Sequence, residues 1–276
     1  MKFPIEFWKM SGSGNDFIII DNRDGRIQDS DMGPLVERAC QRRISVGADG
    51  VIFVVPSTAS DFGWRFFNAD GGEVEMCGNG GRCVSRFACL KRIAGPEMTF
   101  ETLAGPISAK VKGRRVKIRM PGPGPAAMDF DLEPQAGWQY CDFINTGVPH
   151  VVVGVEDLDH HPVFEQGRAV RYHDRFSPQG TNANFMRKVG LNRLALRTYE
   201  RGVEDETLAC GTGAMASALT AALRGMVDSP VTVETRGGEE LMIHFEKDGA
   251  SFGKVWLEGN TTIVYEGKLN PETLEG

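Results

Sequence analysis

The sequence lacks long apolar runs. Runs such as Val51–Val55 and Val151–Val153 fall far short of the ~20 residues that a membrane-spanning helix requires, so no membrane partner is expected. Cysteine is sparse as well. The six present (Cys40, Cys77, Cys83, Cys89, Cys141 and Cys210) are too few to staple a chain of 276 residues, and they are expected as thiols. Cys77, Cys83 and Cys89 step by six, which matches no structural zinc spacing, so no metal is expected. Basic residues are not in excess. Lys and Arg number 31 against 37 Asp and Glu, a net charge of −6 without a basic stripe, which argues against a nucleic-acid partner. A dinucleotide fingerprint, a Walker sequence and a lysine beside a phosphate loop are all missing. Met1–Met10 carries Lys2, Pro4, Glu6 and Lys9 and no apolar core of a secretory leader, so the expected location is the cytoplasm.

What is present is a repeat. Cys77-Gly78-Asn79-Gly80-Gly81 and Cys210-Gly211-Thr212-Gly213-Ala214 are of one type and lie 133 residues apart. The same offset pairs Gly14 with Gly147, Gly47 with Gly180, Glu73 with Glu206, Ala88 with Ala221 and Leu90 with Leu223. It also aligns Thr99–Gly105 with Thr232–Gly238. A single offset sustained over about ninety residues implies two copies of one fold, joined near the Pro/Gly-rich stretch Pro121–Pro125. The expected boundaries are 1–122 for the first copy and 123–262 for the second, with a tail, 263–276, that returns to the first.

Apolar runs bounded by Gly, Pro or Asn predict strands at Phe17–Ile20, Val51–Val55, Ile107–Val111, Val116–Met120, Val151–Val155, Phe185–Val189, Leu194–Tyr199, Val231–Glu234 and Lys254–Leu257. Ser30 and Asp31 are expected to cap a helix running to about Arg43, with a counterpart over about Phe164–Phe176. A second helix is expected after each cysteine motif, from Asn79 to about Ile93 and from Thr212 to about Arg224, with Gly95 and Gly225 as stops. The segment Ala214–Leu223 is apolar on nearly every face, so its helix should be surrounded. The expected class is therefore α/β (α+β): two pseudo-symmetric repeats, each a mostly antiparallel strand layer wrapped around a central helix.

A cysteine placed just before a Gly-rich helix start meets unpaired N–H groups and a partial positive charge. Such a position lowers a thiol from about 8.5 toward 7 or below, a shift worth about 2 kcal/mol in favour of the thiolate. Two equivalent thiols, one on each side of an α-carbon whose carboxylate lies at the helix starts, would allow one to remove a proton and the other to return one to the opposite face. The result is inversion at carbon. A single-nucleophile cysteine hydrolase leaves the duplication unexplained. A dithiol redox protein and an anion-binding protein stay open from the residues alone.

The segments Gly12-Ser13-Gly14-Asn15-Asp16-Phe17, Phe67-Asn68-Ala69-Asp70-Gly71, Met76–Cys83, Tyr199-Glu200-Arg201-Gly202 and Glu206–Gly213 resemble the diaminopimelate epimerase family, over Lys9 to about Tyr265. The Asn after Cys77-Gly78 and the Tyr-Glu-Arg-Gly string favour this family over the proline racemases. The resemblance implies a pyridoxal-independent isomerase, with no cofactor, interconverting LL- and meso-diaminopimelate for lysine and peptidoglycan synthesis. A related amino-acid racemase of different substrate is the alternative. By the same resemblance Cys77 and Cys210 are the acid/base pair, and Gly78, Asn79, Gly211 and Thr212 hold the reacting carboxylate. Asn15, Asn68, Asn182, Glu200 and Arg201 would hold the distal end, His150 and Glu200 would tune the thiols, and Tyr265 would lie at a homodimer contact. Two positions depart from the pattern. Gly50 stands where some members have Gln and Val148 where many have Asn, so weaker discrimination among diamino acids is expected.

Overall fold

The computed structural model describes residues 1–274; Glu275 and Gly276, the end of the expected tail, lie outside the described residues. The chain divides into two compact units, Met1–Ile118 with the segment from Gly259 onward, and Arg119–Glu258. Strands predominate in both. No helix among the described residues is long and apolar enough to cross a membrane.

The first unit runs β1 (Ile5–Gly12), β2 (Asn15–Asp21), α1 (Asp29–Ala39), β3 (Gly50–Val55), β4 (Phe62–Asn68), β5 (Glu73–Val74), α2 (Gly78–Leu90), β6 (Glu97–Thr102), β7 (Gly105–Lys112) and β8 (Arg115–Arg119). β1 and β2 are antiparallel, β2 and β3 parallel, and β3 and β4 antiparallel. β4 pairs antiparallel with β5 and parallel with β6, and β6, β7 and β8 form an antiparallel meander. β3 is apolar throughout because both of its faces are covered. Val51 and Phe53 join Leu35, Val36 and Ala39 of α1 in one cluster, while Ile52 lies on the other face near Gly80 of α2.

The second unit repeats this plan with β9 (Trp138–Asn145), β10 (Pro149–Val155), α3 (Val163–Arg171), β11 (Asn182–Gly190), β12 (Arg193–Glu200), β13 (Asp205–Thr207), α4 (Gly211–Leu223), β14 (Val231–Glu234) and β15 (Glu240–His244). Its pairings run in the same order and sense: β9/β10 antiparallel, β10/β11 parallel, β11/β12 antiparallel, β12/β13 antiparallel, β12/β14 parallel and β14/β15 antiparallel. After the small hairpin β16 (Lys247–Asp248) and β17 (Ser251–Phe252), β18 (Trp256–Asn260) pairs with β15, as β8 pairs with β7. β19 (Thr262–Leu269) then pairs antiparallel with β1, Ile5 opposite Leu269. The inner helices α2 and α4 have 13 residues each and keep the offset of 133 at both ends.

α4 is buried from Gly213 to Ala222, as an all-round apolar helix requires, and its small Ala, Ser and Gly residues let the strands approach closely. Several boundaries differ from expectation. α1 starts at Asp29 with Gln28 at its N-cap, so Ser30 and Asp31 lie inside the first turn, where Asp29 and Asp31 face its positive end. It stops at Ala39, and Arg43 takes a left-handed φ of 73°. α2 stops at Leu90, before the expected Gly95, because Arg92 turns left-handed at φ 57°. α3 ends at Arg171, and Asp174–Phe176 is a separate 3-10 turn. Strands β1, β4, β6, β9, β15 and β19 carry too many charged or aromatic residues to stand out as apolar runs. In β1, for example, Lys9 is buried yet paired with Asp16 at 2.9 Å.

Candidate active site

Each cysteine of the repeated motif caps an inner helix. Cys77 has extended backbone (φ −141°, ψ 117°), is half-buried, and its Sγ accepts the Gly80 N–H at 3.4 Å. Cys210 caps α4 with φ −125°, ψ 112° and is buried. Its Sγ lies 3.5 Å from the Thr212 hydroxyl. The thiol was expected to ionise easily at a helix start, and for Cys210 this is overturned. Burial pushes it up to about 12, the nearby Glu200 charge adds to the shift, and hydrogen bonds from Thr212 and Gly213 offset it only in part. Desolvation therefore outweighs the helix N-terminus. Cys40 and Cys141, buried in apolar clusters, are likewise pushed up to about 12 by burial.

In the first unit the helix start is tied to the sheet by a polar chain. Arg82, fully buried on α2, donates to Asn79 Oδ1 at 2.9 Å and to the Ser13 hydroxyl. Asn79 Nδ2 donates to Asn15 Oδ1 at 2.7 Å, and Asn15 Nδ2 to Asp49 Oδ2 at 3.0 Å. Arg42 then bridges Asp49 at 2.8 Å and Asp16 at 2.6 Å. Burial acts to raise Asp16, but its bonds with Arg42 and Lys9 prevail and hold it below the ordinary carboxylate range. Asn15 and Asn79, expected at the site, are thus brought together beside Cys77. Asn68 is exposed at the end of β4, opposite Gly50 in the ladder, where its backbone closes a turn with Gly71 and Gly72. A Cβ on Gly50 would fall closer than 3.0 Å to the Phe67 carbonyl and the Phe66 ring, so this position admits no side chain without a shift of the β3–β4 ladder. Arg82, Asp49 and Arg42 were missed. Arg82 and Asp16 stood inside recognised motifs, but only the strand register brings Asp49 to them.

In the second unit Asn182 Oδ1 accepts the Arg201 N–H at 2.8 Å, while its Nδ2 donates to the Pro149 carbonyl at 3.0 Å. The Arg201 guanidinium reaches the Gln179 carbonyl at 3.3 Å. Glu200 is raised by burial, with the Thr207 hydroxyl donating to it at 3.0 Å in partial compensation. Thr146 donates to the Thr212 carbonyl at 3.3 Å, linking the loop after β9 to the first turn of α4. His150 is fully buried on β10 and pushed down to about 3, first by burial and then by the charge of Arg201. Its Nδ1 meets Asn184 Nδ2 at 3.1 Å. Asn184, also fully buried, was not singled out from sequence; its spacing two residues from Asn182 on one strand was the available signal. Val148 precedes β10 in the loop that begins at Gly147 (φ 104°). Tyr265 lies on β19, exposed like its neighbour Val264, with its ring edge-on to Phe7 at 5.9 Å. No cluster of three or more His, Cys, Asp or Glu that could hold a metal ion occurs among the described residues.

The family model described as Diaminopimelate epimerase matches twice, at residues 7–125 and 143–264. The diaminopimelate epimerase of Aquifex aeolicus (strain VF5) is 46% identical, with 98% of this chain and all of the relative aligned. That of Hydrogenobaculum sp. (strain Y04AAS1) is 45% identical over 96% of this chain and 98% of its own. Among solved structures, a Bacillus anthracis phenazine biosynthesis protein of the PhzF family has the same fold, with a TM-score of 0.75, 17% identity, and coverage of 98% and 100% of the two chains. Two matches of one family model, near-half identity along almost the full length and a cysteine at the N-cap of both inner helices agree: this chain belongs to the diaminopimelate epimerase family.

Proposed function

We propose that this isomerase inverts the α-carbon of diaminopimelate, interconverting its LL and meso forms, with Cys77 and Cys210 as the acid/base pair and no pyridoxal cofactor. The observation that carries the reading is the duplicated arrangement of a thiol at the N-cap of a Gly-rich inner helix. With Cys210 protonated, Cys77 is the base in the forward direction. Its thiolate takes the α-proton, and the electron pair left on carbon spreads into the carboxylate. The carboxylate oxygens accept N–H groups at the two helix starts, from Gly78, Asn79, Gly211 and Thr212. The Cys210 thiol then gives its proton to the opposite face. One C–H bond breaks and one forms, Cys77 ends as thiol and Cys210 as thiolate, and the reverse reaction begins from that state. Asn15, Asn68, Asn182, Glu200 and Arg201 hold the distal amino-acid end, and His150 and Glu200 adjust the charge around the sulfurs.

The same reading takes 1–122 and 123–262 as duplicated domains, a homodimer meeting near Tyr265, and a cytoplasmic enzyme of lysine and peptidoglycan synthesis. The test is proton transfer in deuterated solvent without added cofactor. Cys77→Ala and Cys210→Ala should each lower epimerisation by at least ~10²–10⁴-fold, the range of general acid–base catalysis, while the far-ultraviolet spectrum is kept. Near-full activity in either variant, or dependence on pyridoxal phosphate, would sink the scheme. Gly50 and Val148 favour a second arm: comparable turnover of lysine and diaminopimelate would mark a racemase of broader substrate, and strict selectivity would exclude it.

A further inference from the structure

The two units have one plan but differ in what they bury between the sheet and the inner helix. In the second unit, His150 on β10, Asn184 on β11 and Thr198 on β12 are all buried and hydrogen-bonded. Strand pairing places His150 opposite Asn182 and Asn184 opposite Thr198, as it places Phe17 opposite Gly50 and Ile52 opposite Phe66 in the first. The inner helices agree. A Cβ on Gly213 would run into Asn184, and one on the equivalent Gly80 would meet Ile52. The first unit therefore fills these three positions with Phe17, Ile52 and Phe66, all buried, with the two Phe rings edge-to-face at 5.8 Å. The scaffold does not need polar groups there, and burying them is costly unless something uses them.

Their hydrogen bonds leave one arrangement. The Thr198 hydroxyl donates to Asn184 Oδ1 at 3.0 Å, and Asn184 Nδ2 donates to the Val151 carbonyl at 2.8 Å. A carbonyl can only accept, so the amide cannot be flipped, and its second N–H points at His150 Nδ1. Nδ1 must offer a lone pair, and the proton of the neutral ring therefore sits on Nε2. That atom is fully buried and has no hydrogen-bond partner among the described residues.

Resting on the function proposed above, we infer that Asn184 is a positioning residue that locks His150 as the Nε2–H tautomer, so that His150 donates a hydrogen bond to negative charge in the site and does not accept the proton. A ring in this state has no lone pair on Nε2 with which to deprotonate a thiol. Its free N–H is matched instead to an anion, whether a thiolate or the carboxylate of the substrate, and these two are separated by measuring the ring with and without substrate.

The experiment is long-range proton–nitrogen correlation NMR on the intact 15N-labelled enzyme at pH 7, with His150→Phe assigning the signal among five histidines. The expected result is a lone-pair shift for Nδ1 and a protonated shift for Nε2. A proton on Nδ1 in the wild type would overturn the inference. In Asn184→Asp the carboxylate accepts where the amide donated, so the proton should move to Nδ1, and kcat should fall about 10- to 100-fold with KM changed less than twofold. An unchanged tautomer with full kcat in a folded Asn184→Asp protein would also overturn it. If that variant does not fold, Thr198→Val releases the amide and should broaden or split the His150 signals; a single unaltered signal would count against the lock. The tautomer is read in the substrate-free enzyme, so a protein that failed to epimerise diaminopimelate would refute the proposed function and leave this result standing.

Discussion

Substituting Gly213 by Ala sets helix propensity against packing. Gly213 is the third residue of α4, where Ala is worth up to about 1 kcal/mol in favour of the helix. Yet a Cβ there would come closer than 3.0 Å to Asn184 Oδ1 and within 3.3 Å of Cys210 Sγ. Asn184 cannot yield without losing its bonds to Thr198, Val151 and His150, each worth about 1 kcal/mol net and more when a buried partner is stranded. The balance is a destabilisation of about 2–4 kcal/mol, or roughly 5–15 °C in the thermal midpoint. Gly81→Ala is the control. It lies one turn into α2, its nearest neighbours stand at 3.5 Å, and it should leave the midpoint unchanged or raise it by a few degrees. Thermal unfolding followed by circular dichroism reads both. A Gly213→Ala protein as stable as the wild type would refute the argument that Asn184 is wedged against the helix start.

His150 has a folded pKa below its unfolded value, so between about pH 6.5 and its folded value near 3 the unfolded chain holds the extra proton and stability falls as pH falls, by about 1.4 kcal/mol per unit from this group. His150→Phe, which installs the residue found at Phe17, should remove that one-proton slope in urea melts between pH 6 and 4; an unchanged slope would show that His150 is not the group responsible. Gly50→Ala should cost about 1–3 kcal/mol, because Phe67 and Phe66 leave its Cβ no room, and a urea midpoint equal to that of the wild type would contradict the geometry.

What could be read from the chain beforehand was whatever is local. The duplicated Cys-Gly motif, the offset of 133 and the all-apolar face of Ala214–Leu223 are contiguous signals, and they lead to the helices and their caps. The strands that escaped notice interleave charge with apolar residues, because ion pairs such as Lys9–Asp16 satisfy buried charge that composition alone reads as solvent-facing. The site divides in the same way. Cys77, Asn79, Cys210 and Thr212 lie within helix starts and were legible. The His150–Asn184–Thr198 set was not, since its members are 34 and 14 residues apart and meet only through the register of three strands. The expected easy ionisation of Cys210 failed for a related reason: the helix N-terminus is visible in sequence, whereas the burial that outweighs it is not.

That competition can be tested on Cys210 itself. Burial is the larger cause of its raised pKa and the Glu200 charge the next, so removing the charge should return part of the shift and leave the rest. Glu200→Gln keeps the size of the side chain and a hydrogen-bonding oxygen for the Thr207 hydroxyl, which limits the change to electrostatics. A neighbouring like charge shifts a thiol by on the order of one unit, which is a tenfold change in thiolate fraction. Alkylation of Cys210 at pH 8, followed peptide by peptide in a mass spectrometer, should therefore quicken roughly three- to tenfold in the variant. Cys141, whose raised pKa comes from burial and from Asp142, should react at its wild-type rate and serve as the internal reference. If Cys210 is alkylated no faster, or more slowly, Glu200 does not hold the thiol protonated, and the assignment of Cys210 as the acid in the forward direction loses its electrostatic basis.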